Sequence, residues 1–259
     1  MTILSNFYWR VFSAIILLSI VLASFFFRST GISILSGIIS ILLYLEVIRN
    51  LDGYKANKHL LCLPIIGLAE AFFASDFTIV FLLFVLVFIF GSYPSKHRWF
   101  RLISFSYIFI SQYLFLVVIC EIPDQLNIYQ PLFLLLIVIA SDIGGYIFGN
   151  LFGKNKIAQK ISPNKTWEGF LGANLLSVIV WVIIFRGFAD NLILEFSLVL
   201  ILSVFSQLGD LLESYAKRLL SVKDSGGLIP GHGGVFDRMD SFLGAIFGYS
   251  LIISLGFGI

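Results

Sequence analysis

Between residues 210 and 240 the chain sets the acids Asp210, Glu213, Asp224, Asp237 and Asp240 among the bases Lys217, Arg218, Lys223 and Arg238. Such interleaving suits a cation–phosphate complex. Carboxylates hold a hard cation such as Mg²⁺, and bases neutralise phosphate oxygens. On a helix, Asp210, Ser214, Lys217 and Arg218 fall at i, i+4, i+7 and i+8, so they share one face. A helix end with basic side chains reaching for lipid headgroups explains Lys217 and Arg218. It explains neither Asp210 nor Ser214. Further on, Gly226, Gly227, Gly231, Gly233 and Gly234 surround His232. Glycines let backbone N–H groups come close to an anion. The pattern G-x-x-x-x-G-K-[ST] is absent, so this is not a P-loop. Asp237 and Asp240 also fit plain helix capping, with Asp237 as N-cap and Asp240 in the first turn. Capping leaves Asp210 unexplained, which favours a shared cation.

A second polar stretch, GKNKIAQKISPNKTWEG, carries Lys154, Lys156, Lys160 and Lys165 with Ser162 and Thr166. Two readings stand side by side: a polyphosphate or nucleotide site, and the ordinary basic bias of cytoplasmic loops. Carboxylates inside apolar runs need a partner, water or a cation. Glu46 lies three residues before Arg49, which fits an ion pair at the interface. Glu70 has no local partner, so an internal hydrogen bond and a function are both open. Asp142 and Asp210 complete the set.

The elements that must position these groups are apolar. Of the 259 residues, 59% are hydrophobic and 12% charged, against about 25% charged in soluble domains. Nine runs read as spans: about 8–27, 31–48, 60–75, 77–94, 101–120, 131–152, 168–186, 192–220 and 240–258. Their lengths match a hydrocarbon core of about 30 Å. The third is the weakest, because it holds Pro64 and Glu70. The eighth is too long at about 1.5 Å per residue. From Asp210 onward it should leave the hydrocarbon or break. Cys62 and Cys120 make no disulfide framework or metal motif and read as packing residues.

With the N-terminus on one side, that side collects every Lys and Arg except Arg28 and Arg186. The basic side is the cytoplasmic one. The expected protein is therefore an all-α polytopic integral membrane protein of about nine transmembrane helices with a cytoplasmic N-terminus. Its single transmembrane domain covers 1–259, with the unusual polar chemistry in the last third.

The stretch from Ser214 to Asp240, through Lys217-Arg218, Lys223-Asp224-Ser-Gly-Gly, Pro230-Gly231-His232-Gly233-Gly234 and Asp237-Arg238-Met-Asp240, closely resembles the signature of the phosphatidate cytidylyltransferases, or CDP-diacylglycerol synthases. The segments Asp142-Ile-Gly-Gly-Tyr146…Gly149…Gly153-Lys154 and Ser162-Pro-Asn-Lys165-Thr166-Trp167-Glu168-Gly169 resemble it too. The strong resemblance covers about 140–245. The helices of 1–130 resemble the family in hydropathy and span count alone and are expected to be structural and lipid-facing.

The resemblance implies synthesis of CDP-diacylglycerol and pyrophosphate from CTP and phosphatidic acid. It implies a Mg²⁺-dependent, two-cation centre, the second cation being one such as K⁺. Asp210 and Asp237 would be metal ligands, with Asp240 and Ser214 close by. Lys217, Arg218, Lys223 and Arg238 would bind phosphates. Asp142, Lys154, Ser162, Lys165, Thr166, Asp224 and the loop Gly231, His232, Gly233 and Gly234 fall on the substrate side. The expected partners are CTP, phosphatidic acid, membrane lipids and a second copy in a homodimer, with no nucleic acid. The expected place is the inner or plasma membrane, with the site on its cytoplasmic face. A phosphate monoester has its second pKa near 6 and is largely dianionic at neutral pH. No general base is then needed, and His232 is read as a loop-orienting or phosphate-bonding residue. Two other readings compete. A CTP-dependent kinase of a lipid alcohol would release CDP. A lipid transporter would place its charges near the bilayer midplane in repeated halves, and no repeat is present. No D-x-x-D-G-x-x-A-R run is found, which disfavours a CDP-alcohol phosphatidyltransferase.

Overall fold

A computed structural model describes residues 2–52, 60, 62–73, 76–92, 98–121, 129–185, 192–222, 224–228 and 233–254. Among them lie nine α-helices and one two-stranded hairpin. Five helices are long and apolar enough to cross a membrane: Thr30–Asn50, Arg98–Leu116, Gln130–Phe152, Trp167–Ile184 and Leu192–Leu219. The chain is thus an all-α polytopic membrane protein. The chain divides into two compact units, Met1–Ile128 with Leu220–Arg238, and Tyr129–Leu219 with Met239–Ile259.

The first unit holds α1 (Thr2–Phe26), α2 (Arg28–Asp52), α3 (Leu63–Phe73), α4 (Phe77–Gly91) and α5 (Arg98–Glu121). α2 is its central helix, packed on α1, α3 and α5. Leu43, Tyr44, Leu63, Phe105, Ile108 and Leu116 are buried between these helices, whereas Ile15, Leu18 and Leu22 of α1 are exposed, as lipid-facing residues are. The Tyr44 and Phe105 rings lie 5.5 Å apart. Asp76 caps α4, accepting from Thr78 N at 2.9 Å and Ile79 N at 3.2 Å. Glu70 of α3 is 0% exposed. Its carboxylate oxygens have no hydrogen bond among the described residues. The internal bond expected for it is therefore not found there. Cys62 is in no disulfide among the described residues, and the side chain of Cys120 lies outside them.

The second unit starts with α6 (Tyr129–Phe152), followed by β1 (Lys156–Ala158), β2 (Ser162–Thr166), α7 (Trp167–Val180) and α8 (Leu192–Leu219). The hairpin is antiparallel, pairing Lys156 with Thr166 and Ala158 with Ser162. Hydropathy did not foresee it, because its residues are polar and only a few positions long. Thr166 N-caps α7 by accepting from Gly169 N at 3.1 Å. α7 ends in a π turn, Trp181–Phe185. Trp181 Nε1 donates to Glu195 Oε2 at 2.9 Å, giving that buried carboxylate a donor. α6 and α7 form the most intimate helix pair. Side chains at Gly144 or Gly172 would strike Gly172 O and the Phe148 ring respectively, so the glycines after Asp142 serve backbone approach, as in membrane helix pairs.

α9 (Phe236–Ser254) supplies its residues from Met239 onward to this unit. There it meets α8 along a second glycine seam. Gly209 faces the carbonyl of Asp240 and Gly244, and Gly248 faces the Phe205 ring. α8 runs unbroken for 28 residues, about 42 Å, so the excess over a bilayer core is not absorbed by a break.

Candidate active site

In the second unit the glycine seam brings the polar end of α8 to Asp240 of α9. One carboxylate oxygen each from Asp210, Glu213 and Asp240 lies within 4.8 Å of the others. Asp240 is 8% exposed and turns Oδ1 to Ser241 N at 2.8 Å. Ser241 Oγ in turn donates to Asp142 Oδ1 at 3.1 Å, so Asp142 of α6 joins the same neighbourhood. Ser214 Oγ donates to Asp210 Oδ1 at 3.4 Å, as their i,i+4 spacing on α8 requires.

Cations balance these acids. Lys165 Nζ lies 2.8 Å from Asp210 Oδ2 and also donates to Gln207 O at 3.1 Å. Lys217 Nζ lies 2.5 Å from Glu213 Oε2. Arg218 Nε donates to Ile161 O at 3.2 Å. The hairpin is thereby fastened to α8 by Lys165 and Arg218. Its near end is closed by Glu168, which accepts from Asn155 Nδ2 at 2.8 Å and Asn155 N at 3.2 Å. Lys154, Lys156 and Lys160 stay exposed and Ser162 half-buried. Thr166, expected on the substrate side, is buried with its hydroxyl capping α7.

The donor set fits a hard cation. Three carboxylates and a hydroxyl offer only oxygen, which is the chemistry Mg²⁺ prefers. Like charges this close repel by on the order of a few kcal/mol in a partly screened site, and a cation among them removes that cost.

In the first unit Asp237 closes the glycine loop. Its carboxylate accepts from Ser225 N at 3.1 and 3.0 Å and from Gly234 N at 2.9 Å. Gly233 has φ +87°, and a Cβ there would lie 2.8 Å from Asp237 Oδ2. Only glycine takes that conformation without strain. Asp237 therefore sits in the first turn of α9, one residue inside its start, instead of at the N-cap position. Asp224 and Arg238 are exposed. Gly227 has nothing within 4 Å of where a Cβ would stand, so its backbone faces open space. Lys223, Gly231 and His232 lie outside the described residues.

Two residues here escaped the sequence reading as site members. Glu213 carried a usable signal, an acid at i+3 from Asp210. Glu46 carried none. Far from serving a neighbour on its own helix alone, its carboxylate accepts from Val235 N at 3.1 Å and Phe236 N at 2.8 Å, some 190 residues away in the chain.

A model of the cytidylyltransferase family matches residues 8–255. A Staphylococcus haemolyticus protein named phosphatidate cytidylyltransferase is 49% identical over 119 residues, 45% of this chain and 46% of that protein. Proteins of the same name from Staphylococcus saprophyticus and Staphylococcus aureus are 50% and 48% identical over 119 residues, with the same shares. The aligned stretch spans a little under half the length of these curated relatives.

Proposed function

The chain belongs to the cytidylyltransferase family, and on that footing we propose that it transfers the cytidylyl group of CTP to phosphatidic acid, giving CDP-diacylglycerol and pyrophosphate. The observation that carries this reading is the meeting of Asp210, Glu213 and Asp240 with Lys165 and Lys217 at the polar end of a membrane helix. A lipid substrate keeps its acyl chains in the bilayer, and CTP arrives from water, so the chemistry belongs at such an end.

A phosphate oxygen of phosphatidate attacks the α-phosphorus of CTP. The new P–O bond forms as the bond to the β-phosphate oxygen breaks, and pyrophosphate leaves with that electron pair. The attacking group is already largely dianionic (second pKa near 6), so no residue needs to take a proton. The obstacle is charge: a dianion approaches a polyanion. Catalysis then consists of alignment and neutralisation. Asp210, Asp240, Ser214 and Glu213 would hold Mg²⁺, and Asp237 keeps its ligand role on the motif alone. When bound, Mg²⁺ would neutralise phosphate oxygens and polarise the α-phosphoryl group, with a second cation such as K⁺ belonging to the same reading. Lys217, Arg218, Lys223 and Arg238 would take the remaining phosphate charge. Lys154, Lys165 and Asp142 belong to the nucleotide side, as does the hairpin residue Ser162, while Thr166 supports them by capping α7. In the loop, Gly227, Gly231 and Gly233 would turn N–H groups to phosphate, whereas the Gly234 N–H is taken by Asp237; His232 would orient the loop, and Asp224 would border it. The basic bias supports a cytoplasmic site in the inner or plasma membrane, and the motif supports a homodimer.

The decisive assay uses purified protein with CTP labelled in its cytidine and phosphatidate in mixed micelles, with and without EDTA. Labelled CDP-diacylglycerol plus pyrophosphate, lost with EDTA and restored by Mg²⁺, is expected. No CDP-diacylglycerol in that mixture, with labelled CDP and a phosphorylated product once a lipid alcohol replaces phosphatidate, would refute the reading in favour of a kinase.

A further inference from the structure

Glu46 lies inside the apolar span Thr30–Asn50 and is 2% exposed. A buried carboxylate in such a place destabilises the fold unless donors surround it. Among the described residues, the donors to Glu46 come from the signature loop: Val235 N and Phe236 N, with Ser225 Oγ at 3.3 Å. One turn further along α2, Asn50 Nδ2 donates to Ser225 O. Two side chains at i and i+4 on one helix thus grip both ends of the loop.

The start of α9 shows why this matters. A helix begins with four N–H groups that no helical carbonyl can take. Here each has a partner. Val235 N and Phe236 N go to Glu46, Asp237 N goes to Ser225 Oγ at 3.2 Å, and Arg238 N goes to Val235 O at 3.0 Å. Ser225 Oγ, itself held on Glu46, thus supplies the third. The fit is also steric. A Cβ at Gly226 or Gly234 would collide with the Glu46 carboxylate. Those two glycines are explained by the approach of Glu46, whereas Gly227 is not.

We propose that Glu46 is a positioning residue for cytidylyl transfer: it fixes Ser225, Val235 and the start of α9, and through them the backbone and the charged groups that meet the triphosphate. This rests on the function proposed above. Glu46 touches no reacting atom; it acts through Ser225, Val235 and Phe236. Glu46→Gln keeps shape and volume but sets an amide N–H against a backbone N–H, so at least one loop donor loses its acceptor.

The test measures initial rates over a range of CTP concentrations for wild type, Glu46→Gln and Glu46→Asp, together with hydrogen–deuterium exchange of the loop amides. Glu46→Gln should raise KM for CTP about tenfold and lower kcat about tenfold, since loose placement of binding groups costs factors of this size. A smaller folded fraction lowers the apparent kcat but leaves KM unchanged, so the KM shift separates positioning from simple loss of fold. Glu46→Asp, which keeps two acceptor oxygens, should fall between. Amides of Val235 and Phe236 should exchange faster in Glu46→Gln. An assembled Glu46→Gln with wild-type KM and wild-type protection would overturn the proposal. Should Glu46→Gln fail to assemble, Asn50→Ala loosens the same grip, and an unchanged KM in that variant overturns it. If the wild-type protein makes no CDP-diacylglycerol, the functional reading fails by itself. Exchange then decides whether Glu46 sets the loop, and unchanged protection refutes that.

Discussion

Gly209→Ala tests whether the α8–α9 seam sets the distance between carboxylates. A Cβ at Gly209 would stand 2.9 Å from Gly244 Cα and closer still to the Asp240 carbonyl oxygen. Ordinary carbon contacts lie at about 3.5 Å, so the helices must part by about 0.6 Å, and by more at Asp240. Asp210 is the next residue on α8, and Asp240 is itself displaced, so the carboxylates separate by a similar amount. Misplacement of about 1 Å can cost about 100-fold in rate, so a loss of about 10- to 100-fold is expected, equivalent to about 1.4–2.7 kcal/mol of barrier. Intrinsic helix preference works the other way, because Ala favours a helix over Gly by about 1 kcal/mol. A fall in rate therefore cannot come from a weaker helix. The assay is the initial rate of CDP-diacylglycerol formation by protein that is monodisperse in detergent. Leu212→Ala, at an exposed apolar site on α8, is the control and should keep its rate. Gly248→Ala meets Phe205 Cγ at 2.8 Å and Cβ at 2.9 Å, a milder clash than the 2.3 Å to Asp240 O at Gly209 and about two turns away from Asp240, and should lose less than Gly209→Ala. Monodisperse Gly209→Ala with a wild-type rate would refute the reasoning.

Asp237→Asn should abolish turnover while the protein still assembles, because its amide oxygen in place of Oδ2 can still accept from both Ser225 N and Gly234 N but the side chain carries no charge for a cation. Near-normal activity in that variant would remove Asp237 from the metal set. Trp181→Phe takes the Nε1 donor from Glu195, which is 4% exposed, and should destabilise the protein by about 1–3 kcal/mol. Thermal unfolding in detergent should start at a lower temperature, with the rate at low temperature unchanged; an unaltered melting curve would show that the bond contributes nothing.

Much of this protein is visible in its order of residues. Each of the nine apolar runs overlaps a helix, since a bilayer-sized apolar stretch has few other ways to satisfy its backbone. The shared face of Asp210 and Ser214 follows from helical spacing alone, and their hydrogen bond is found at that spacing. Other features depend on which helices touch. The glycines after Asp142 read as part of a signature, yet Gly144 and Gly172 are helix contacts. Thr166 reads as a phosphate ligand in a basic loop, yet its hydroxyl caps α7. The hairpin has too few residues to show a period, and the pairing of Lys165 with Asp210 crosses a whole helix in sequence.

By itself, then, the sequence determined the membrane class, the helices, the acids and bases available, and the family. Those depend on composition and on spacing within one element, which the chain carries locally. Tertiary structure alone decided which acid meets which. Asp240 joins Asp210 and Glu213 because Gly209 and Gly244 let two backbones approach. Glu46 reaches the loop because α2 ends beside Ser225 and Val235. Such meetings join residues tens to nearly two hundred positions apart, and only close packing of the helices brings them within bonding distance.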